Sequence, residues 1–133
     1  PELSRGLGDV YKRQSQWSKD LDNKANKKFV QDFQKEYGRL PSLYASQGYD
    51  TGKLLISALN VADVKDQDKF RSALKNANFE STRGSFKFDT NQHPIQDIYV
   101  REVIKEGKIL TNKIISTGLK NRSNAYVKDC PLK

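Results

Sequence analysis

The chain has 133 residues and a mass of 15.2 kDa, which is enough for one ordinary domain or for part of a larger one. Its 24 lysines and arginines against 16 acidic residues give a net charge of +8, which favours anionic partners such as nucleic acid without establishing them. A single cysteine and a single histidine exclude an internal disulfide framework and a multi-cysteine zinc site.

Residues 1–14 read PELSRGLGDVYKRQ and show neither strand alternation nor a helical stripe. The run Gly6-Leu7-Gly8 lacks the preceding strand and the Lys-Ser/Thr of a phosphate loop. The tract resembles a translated adapter that recurs at the ends of unrelated reading frames, and a disordered native terminus is the alternative. We therefore leave residues 1–14 out of the fold prediction and place the domain at 15–133.

Three helices are predicted next. The first is capped by Asn23 or Asn26, runs to about Tyr37 and stops at Gly38. The second covers about 42–62, and a third, shorter helix begins after an Asp66 cap. In each of them apolar residues recur at helical spacing, which predicts one buried face per helix.

Two glycines, Gly48 and Gly52, lie on the apolar face of the second helix. Each glycine costs a helix about 1 kcal/mol relative to alanine. Their presence on one face therefore predicts the close approach of another backbone.

The period changes to two after the third helix. Gly84, Phe86 and Phe88 alternate with polar residues and predict a short strand. The stretches 95–105 and 108–117, joined by a turn at Glu106-Gly107, predict a β-hairpin. Because this is little sheet for three helices, and an isolated hairpin is only marginally stable, we expect the chain to be incomplete.

The candidate chemical groups favour structural roles. His93 lies in a turn without a nucleophile or a second histidine or cysteine ligand, which favours a surface histidine over catalysis or metal binding. Cys130 either pairs with a cysteine outside this chain or is a free thiol. Phe86 and Phe88 are typical of core packing more than of base stacking, and the lysines are interleaved with acids. No enzyme activity, metal or cofactor is predicted.

The stretch from Phe29 to Asp50, FVQDFQKEYGRLPSLYASQGYD, contains several motifs in a fixed order. It resembles the branched-chain (hydrophobic) amino-acid class of periplasmic substrate-binding proteins of ABC transporters. In that family a helix ends in Tyr-Gly, and Pro-Ser, an aromatic residue and Gly-Tyr-Asp follow. The matching residues here are Tyr37-Gly38, Pro41-Ser42, Tyr44 and Gly48-Tyr49-Asp50. Further resemblance covers the segments 20–26, 83–99 and the ending Ala125-Tyr126 with Cys130.

The resemblance implies an α/β chain with a partial type I periplasmic-binding-protein fold. It would contain the last helices of the first lobe, cross over near residues 91–96 and continue as a hairpin into the second lobe or its hinge. The parallel core strands and the signal peptide of the parent would lie outside this chain. We therefore expect apolar surfaces without partners and poor stability of the chain alone.

The resemblance also implies a function. The parent would capture a branched-chain or related amino acid, or an aromatic carboxylate, in the periplasm as a monomer and deliver it to an ABC transporter permease. Tyr44 matches a position where the family places an aromatic ring against the ligand, with lobe packing as the alternative. Gln47, one helical turn further on, is a candidate polar contact at the cleft rim. The carboxylate- and ammonium-binding residues of the family lie earlier in the parent, so tight binding by this chain alone is not expected.

Two other functions remain as alternatives. A small, self-contained basic domain would bind nucleic acid or a protein, and would need a continuous positive face. The ligand-sensing part of a receptor would need a membrane span or a signalling domain. The interleaved charges favour the transport reading, in which no nucleic acid is a partner.

Overall fold

The computed structural model describes residues 11–130. Its elements are β1 (Lys12–Ser15), α1 (Lys24–Tyr37), α2 (Leu43–Leu59), α3 (Gln67–Asn76), β2 (Lys87–Phe88), β3 (Pro94–Glu106) and β4 (Ile109–Arg122), followed by a short 3-10 turn at Val127–Asp129. The mixed α/β class and the order of three helices followed by a hairpin are those predicted from the sequence.

Each helix begins at a capping side chain. Asn23, rather than Asn26, caps α1, and its Oδ1 accepts a 2.8 Å hydrogen bond from the backbone N–H of Asn26. Ser42 and Asp66 cap α2 and α3 in the same way. Helix α1 ends at Gly38, whose φ of 64° lies in the left-handed region that glycine adopts without strain.

The long strand β3 forms the centre of a four-stranded antiparallel sheet. On one side it pairs with β4 along the predicted hairpin, which turns at Gly107 with a φ of 60°. On its other side it pairs with β1, and near its beginning it also pairs with the two-residue β2. The hairpin is longer and β2 shorter than predicted, and Ser81 and Gly84, at the start of the predicted short strand, form an isolated bridge instead.

Strand β1 includes residues for which no regular structure was expected. Lys12 pairs with Glu102 and Ser15 with Tyr99, so the expectation does not hold for Lys12–Gln14. These residues have no alternating pattern of their own, and the strand follows from pairing with a distant partner. Residues 1–10 lie outside the described part of the chain, and both the adapter origin and the boundary at 15 remain predictions.

The core is small and lies between α1, the start of α2 and the sheet. Trp17, Leu21 and Phe29 are its buried centre, and the rings of Trp17 and Phe29 meet edge to face at 6.2 Å. The side chains packed around it are Val30, Phe33, Leu43, Ala45, Tyr49, Tyr99 and Ile114.

The glycines of α2 do not serve the predicted close approach. Among the described residues, no atom lies within 4 Å of the position that a Cβ would take at Gly48 or Gly52. The larger residues of the same helix face, Leu55, Ile56 and Leu59, are exposed. The prediction is therefore wrong for the described chain, because no other element of it covers this face.

Candidate ligand-binding cleft

A cleft of about 260 Å³ lies where the N-terminal end of α2 meets the middle of the hairpin. Its walls come from three parts of the chain that are far apart in sequence. The lining residues are Trp17, Ser18, Lys19, Pro41, Ser42, Leu43, Tyr44, Arg101, Thr111 and Asn112. Aromatic and aliphatic side chains thus share the lining with hydroxyl, amide and cationic groups, so the cleft is more polar than most small-molecule sites.

The wall formed by Trp17–Lys19 is held by one buried amide, that of Asn26. Its Nδ2 donates to the carbonyl oxygens of Ser18, Lys19 and Leu21 at 3.1 to 3.2 Å. Its Oδ1 accepts a 2.7 Å hydrogen bond from the indole Nε1 of Trp17. Because Asn26 is fully buried, these bonds replace water for both the indole and a stretch of backbone.

Asp20 attaches the same wall to the sheet. Its Oδ1 accepts from the hydroxyl of Ser18 at 2.5 Å, and its Oδ2 accepts from the backbone N–H of Ile114 at 2.9 Å. Lys19 adds an ion pair of 2.9 Å with Glu106 at the end of the hairpin. Trp17 and Ser18 are therefore fixed relative to β4 from both sides of the segment.

Arg101 projects from β3 at this cleft. Its Nη1 donates a 3.2 Å hydrogen bond to the carbonyl oxygen of Trp17, whereas its Nε is buried without a partner among the described residues. Partial burial lowers the pKa of the guanidinium, and the attraction of Asp20 offsets only part of this effect. The arginine is thus a cation with incomplete compensation for the water it has lost.

The two sequence-predicted site residues differ in their placement. Tyr44 lies on the cleft rim in the first turn of α2 and is 78% exposed. Gln47 is half-buried one turn further along the same helix and does not belong to the lining of the cleft. Its backbone carbonyl accepts a 2.9 Å hydrogen bond from Thr51. The ligand-binding roles of both residues remain predictions.

Sequence reasoning missed Trp17 and Arg101. Arg101 and Glu102 interrupt the mainly apolar run from Ile98 to Ile104, and a cation within such a strand was a usable signal. The single tryptophan, Trp17, gave a weaker signal in the sequence, because its position depends on contacts with Asn26 and the sheet.

The other candidate groups behave as structural residues. His93 is exposed in its turn, with its Nδ1 3.3 Å from Nδ2 of Asn124. Within residues 11–130, no three potential metal ligands come together. Cys130 is a half-buried free thiol, and its pairing outside the chain stays a prediction. The helices of that same part of the chain are too short or too polar to cross a membrane.

Comparison with known proteins defines the family. The periplasmic binding protein family profile matches residues 6–108, which is most of the chain. The chain therefore belongs to this family and has part of the type I periplasmic-binding-protein fold, as the sequence resemblance implied. No curated protein matches the chain.

Solved structures agree with this membership. A solute-binding protein of an ABC transporter from Rhodopseudomonas palustris, in complex with benzoate, is 31% identical with a TM-score of 0.79 over 93% of this chain. A second, from strain BisB5 in complex with 3,4-dihydroxybenzoic acid, is 28% identical with a TM-score of 0.73 over 86% of it. A leucine-binding protein from Thermotoga maritima, at 23% identity and a TM-score of 0.64 over 88%, shows the fold alone.

The chain corresponds to only a part of these proteins. It spans 34% of the benzoate-bound chain, 32% of the dihydroxybenzoate-bound chain and 34% of the leucine-binding protein. About two thirds of the two-lobed proteins to which it is similar have no counterpart in it.

Proposed function

We propose that the chain is part of a solute-binding protein that captures a small carboxylate for uptake by an ABC transporter. The ligand is a branched-chain or related amino acid or an aromatic carboxylate. The whole protein works without catalysis or a cofactor, as a monomer in the periplasm, and delivers its ligand to a membrane permease. In this chain Tyr44 and Gln47 contribute to ligand contact.

The exposure of Tyr44 carries this proposal. The ring of Tyr44 is mostly exposed, so little of it packs against the rest of the chain and it is available to a ligand. It lies at the rim of a cleft whose lining also includes Trp17 and Arg101. The similar proteins that were solved with benzoate and dihydroxybenzoic acid bind ligands that need an apolar wall and an anion-binding group.

The distribution of charge supports a transport role over nucleic-acid binding. Lysines of the helices form ion pairs with neighbouring acids, as in Lys28–Asp32 at 2.7 Å and Lys69–Asp66 at 2.7 Å. Binding to a phosphate backbone instead needs uncompensated cations along one face. The basic net charge is therefore best explained by solvation of the helices.

Calorimetric titration of the product of the complete reading frame tests the proposal. Benzoate, 4-hydroxybenzoate and leucine are the probes, and at least one of them is expected to bind. Tyr44→Ala should weaken binding by about tenfold, since an aromatic contact contributes about 0.5–1.5 kcal/mol beyond its area. Gln47→Ala should have a smaller effect.

Tyr126→Ala is the matched control, because Tyr126 is equally exposed but lies near the end of the chain, outside the cleft. If no acid or amino acid binds while a DNA duplex does so in a salt-dependent manner, the transport proposal is wrong. If a probe binds and Tyr44→Ala behaves as Tyr126→Ala does, the role of Tyr44 is wrong.

A further inference from the structure

We propose that Arg101 binds the carboxylate of the ligand in the cleft between α2 and the hairpin. The inference rests on the proposed function and deepens it, because it assigns the acidic group of the ligand to a residue of this chain. The sequence resemblance had implied that the carboxylate-binding residues lie in other parts of the parent protein. The geometry around Arg101 points to an additional anion-binding group here.

The unused donors of Arg101 are the first argument. A guanidinium carries five N–H donors in a planar fork. Nη1 donates to the carbonyl oxygen of Trp17, and among the described residues the buried Nε has no acceptor. Because Nε has almost no exposed surface, a carboxylate in the cleft would accept first from the η nitrogens and would reach Nε after a small rotation of the side chain. Such a ligand would provide the missing acceptor, which a buried donor otherwise lacks at a cost.

The local charge is the second argument. The described lining residues include two cations, Lys19 and Arg101, and no carboxylate. Lys19 is paired with Glu106, and both carboxylate oxygens of nearby Asp20 already accept bonds from Ser18 and Ile114. Asp20 attracts Arg101 but only partly offsets the burial that lowers the pKa of the guanidinium, so a ligand carboxylate would add compensation.

The walls indicate what the rest of the ligand is. Leu43 and Tyr44 present apolar and aromatic surface to the cleft, and the buried Trp17 adds only a small edge to its lining. The volume of about 260 Å³ is below the roughly 300–1,000 Å³ of sites for drug-sized molecules. A small acid with one ring or one branched aliphatic group, such as an aromatic carboxylate or a branched-chain amino acid, has the matching chemistry.

The first experiment compares acids with their neutral counterparts on the product of the complete reading frame. Benzoate is titrated against benzamide, and leucine against leucinol, by calorimetry. Losing a hydrogen-bonded charge on the ligand should weaken binding by about 10- to 150-fold. This comparison uses the wild-type protein, so it does not depend on the folding of any variant. The acid that binds identifies the source of the carboxylate.

The second experiment changes the arginine. Arg101→Gln should weaken the acid by a similar factor while leaving the neutral counterpart nearly unchanged, so the preference for the acid is lost. Arg101→Lys should give an intermediate loss, because lysine keeps the charge without the bidentate edge. Arg122→Gln, at the exposed end of β4 and outside the cleft, should bind as the wild type does.

Each outcome tests either the role of Arg101 or the proposed function of the whole protein. A loss of acid preference in Arg101→Gln supports the role of Arg101. An undiminished acid preference in both Arg101 variants overturns that role and leaves the proposed function standing. An equal weakening of acid and neutral ligand shows that Arg101 only supports Trp17, and also overturns it. Failure of every probe to bind the wild-type protein contradicts the proposed function itself.

Discussion

Two regions differ in how many of their groups find partners within the chain. One is the set of buried polar contacts around Asn26 and Asp50, and the other is the outer face of α2. In the first region, buried groups find their partners among residues 11–130, as Asn26 does for Trp17 and the backbone around it. On the outer face of α2, Leu55, Ile56 and Leu59 are exposed, and no atom of the described chain lies close to Gly48 or Gly52. In the first region most buried polar groups are paired within the described chain, with the hydroxyl of Thr82 as an exception, whereas the second region is left exposed.

This contrast explains how a third of a two-lobed fold can keep a defined local structure. Buried hydrogen bonds are directional and fix the segments that they join, even where the apolar core is small. An exposed apolar helix face has no such specificity and only lowers solubility until it is covered. Substitutions of the buried polar groups should therefore destabilise this chain, whereas substitutions on the outer face of α2 should destabilise only the complete protein.

The largest expected effect is at Asp50, which is 2% exposed and joins α2 to the loop before β2. It accepts from the hydroxyl of Ser81 at 2.6 Å, from the N–H of Thr82 at 2.9 Å and from Nε of Arg83 at 3.1 Å. Asp50→Ala leaves a buried guanidinium without its partner and should lower the free energy of unfolding by about 3–5 kcal/mol. Urea unfolding followed by Trp17 fluorescence measures it.

The matched control for Asp50 is Asp32, which forms an exposed pair with Lys28 on α1. Asp32→Ala should change the free energy of unfolding by about 0.5 kcal/mol or less, because water screens an exposed pair. Equal effects of the two substitutions would contradict the view that the Asp50 junction holds α2 to the chain.

A somewhat smaller loss is expected for Asn26→Ala. The substitution leaves the indole N–H of Trp17 and the carbonyl oxygen of Lys19 without the partner that Asn26 provides, which should cost about 3 kcal/mol of unfolding free energy. The exposed Gln31→Ala on the same helix should cost less than about 0.5 kcal/mol. Thermal unfolding observed by circular dichroism separates the two, and a loss below about 1 kcal/mol for Asn26→Ala would show that water replaces the amide.

A substitution of Thr82, which is bonded to Asp50, should raise the free energy of unfolding instead of lowering it. Its hydroxyl Oγ1 is buried and has no hydrogen-bond partner among the described residues, whereas its backbone is bonded to Asp50 and Asn23. Thr82→Val replaces this hydroxyl by a methyl group of similar shape and should raise the free energy of unfolding by about 1 kcal/mol. A destabilisation in the same urea experiment would mean that the hydroxyl has a partner in solution.

The smallest effect in the chain itself is expected for the double substitution of Leu55 and Leu59 by glutamine. Both side chains are already exposed, so the free energy of unfolding should change by less than about 0.5 kcal/mol while aggregation decreases. In the complete protein the same pair should cost about 2–5 kcal/mol per residue, because a covered face is buried there. Equal small effects in both proteins would show that this face stays exposed.

The sequence predicted what depends on neighbouring residues. The cap at Asn23 or Asn26, the cap at Asp66 and the stop at Gly38 follow from local hydrogen bonding and backbone freedom, and the structure has them at Asn23, Asp66 and Gly38. The hairpin followed from its alternating pattern. Such signals need no knowledge of distant contacts.

Features that depend on distant pairing were missed or misread. Strand β1 exists because it pairs with residues 99–102, far along the chain. The two glycines of α2 predicted a close neighbour, and outside α2 itself residues 11–130 provide none at these positions. Arg101 escaped notice because its importance comes from a buried Nε and from its contact with Trp17, neither of which a sequence pattern records.

The central claim is that the cleft between α2 and the hairpin binds a small carboxylate in the complete protein. A crystal structure of the product of the complete reading frame, grown with whichever of benzoate and leucine binds in calorimetry, tests it most directly. The account predicts ligand density between Tyr44 and Trp17, with a carboxylate oxygen about 2.7–2.9 Å from the guanidinium of Arg101. Ligand bound at another place, with the Nε of Arg101 still without an acceptor, would contradict it.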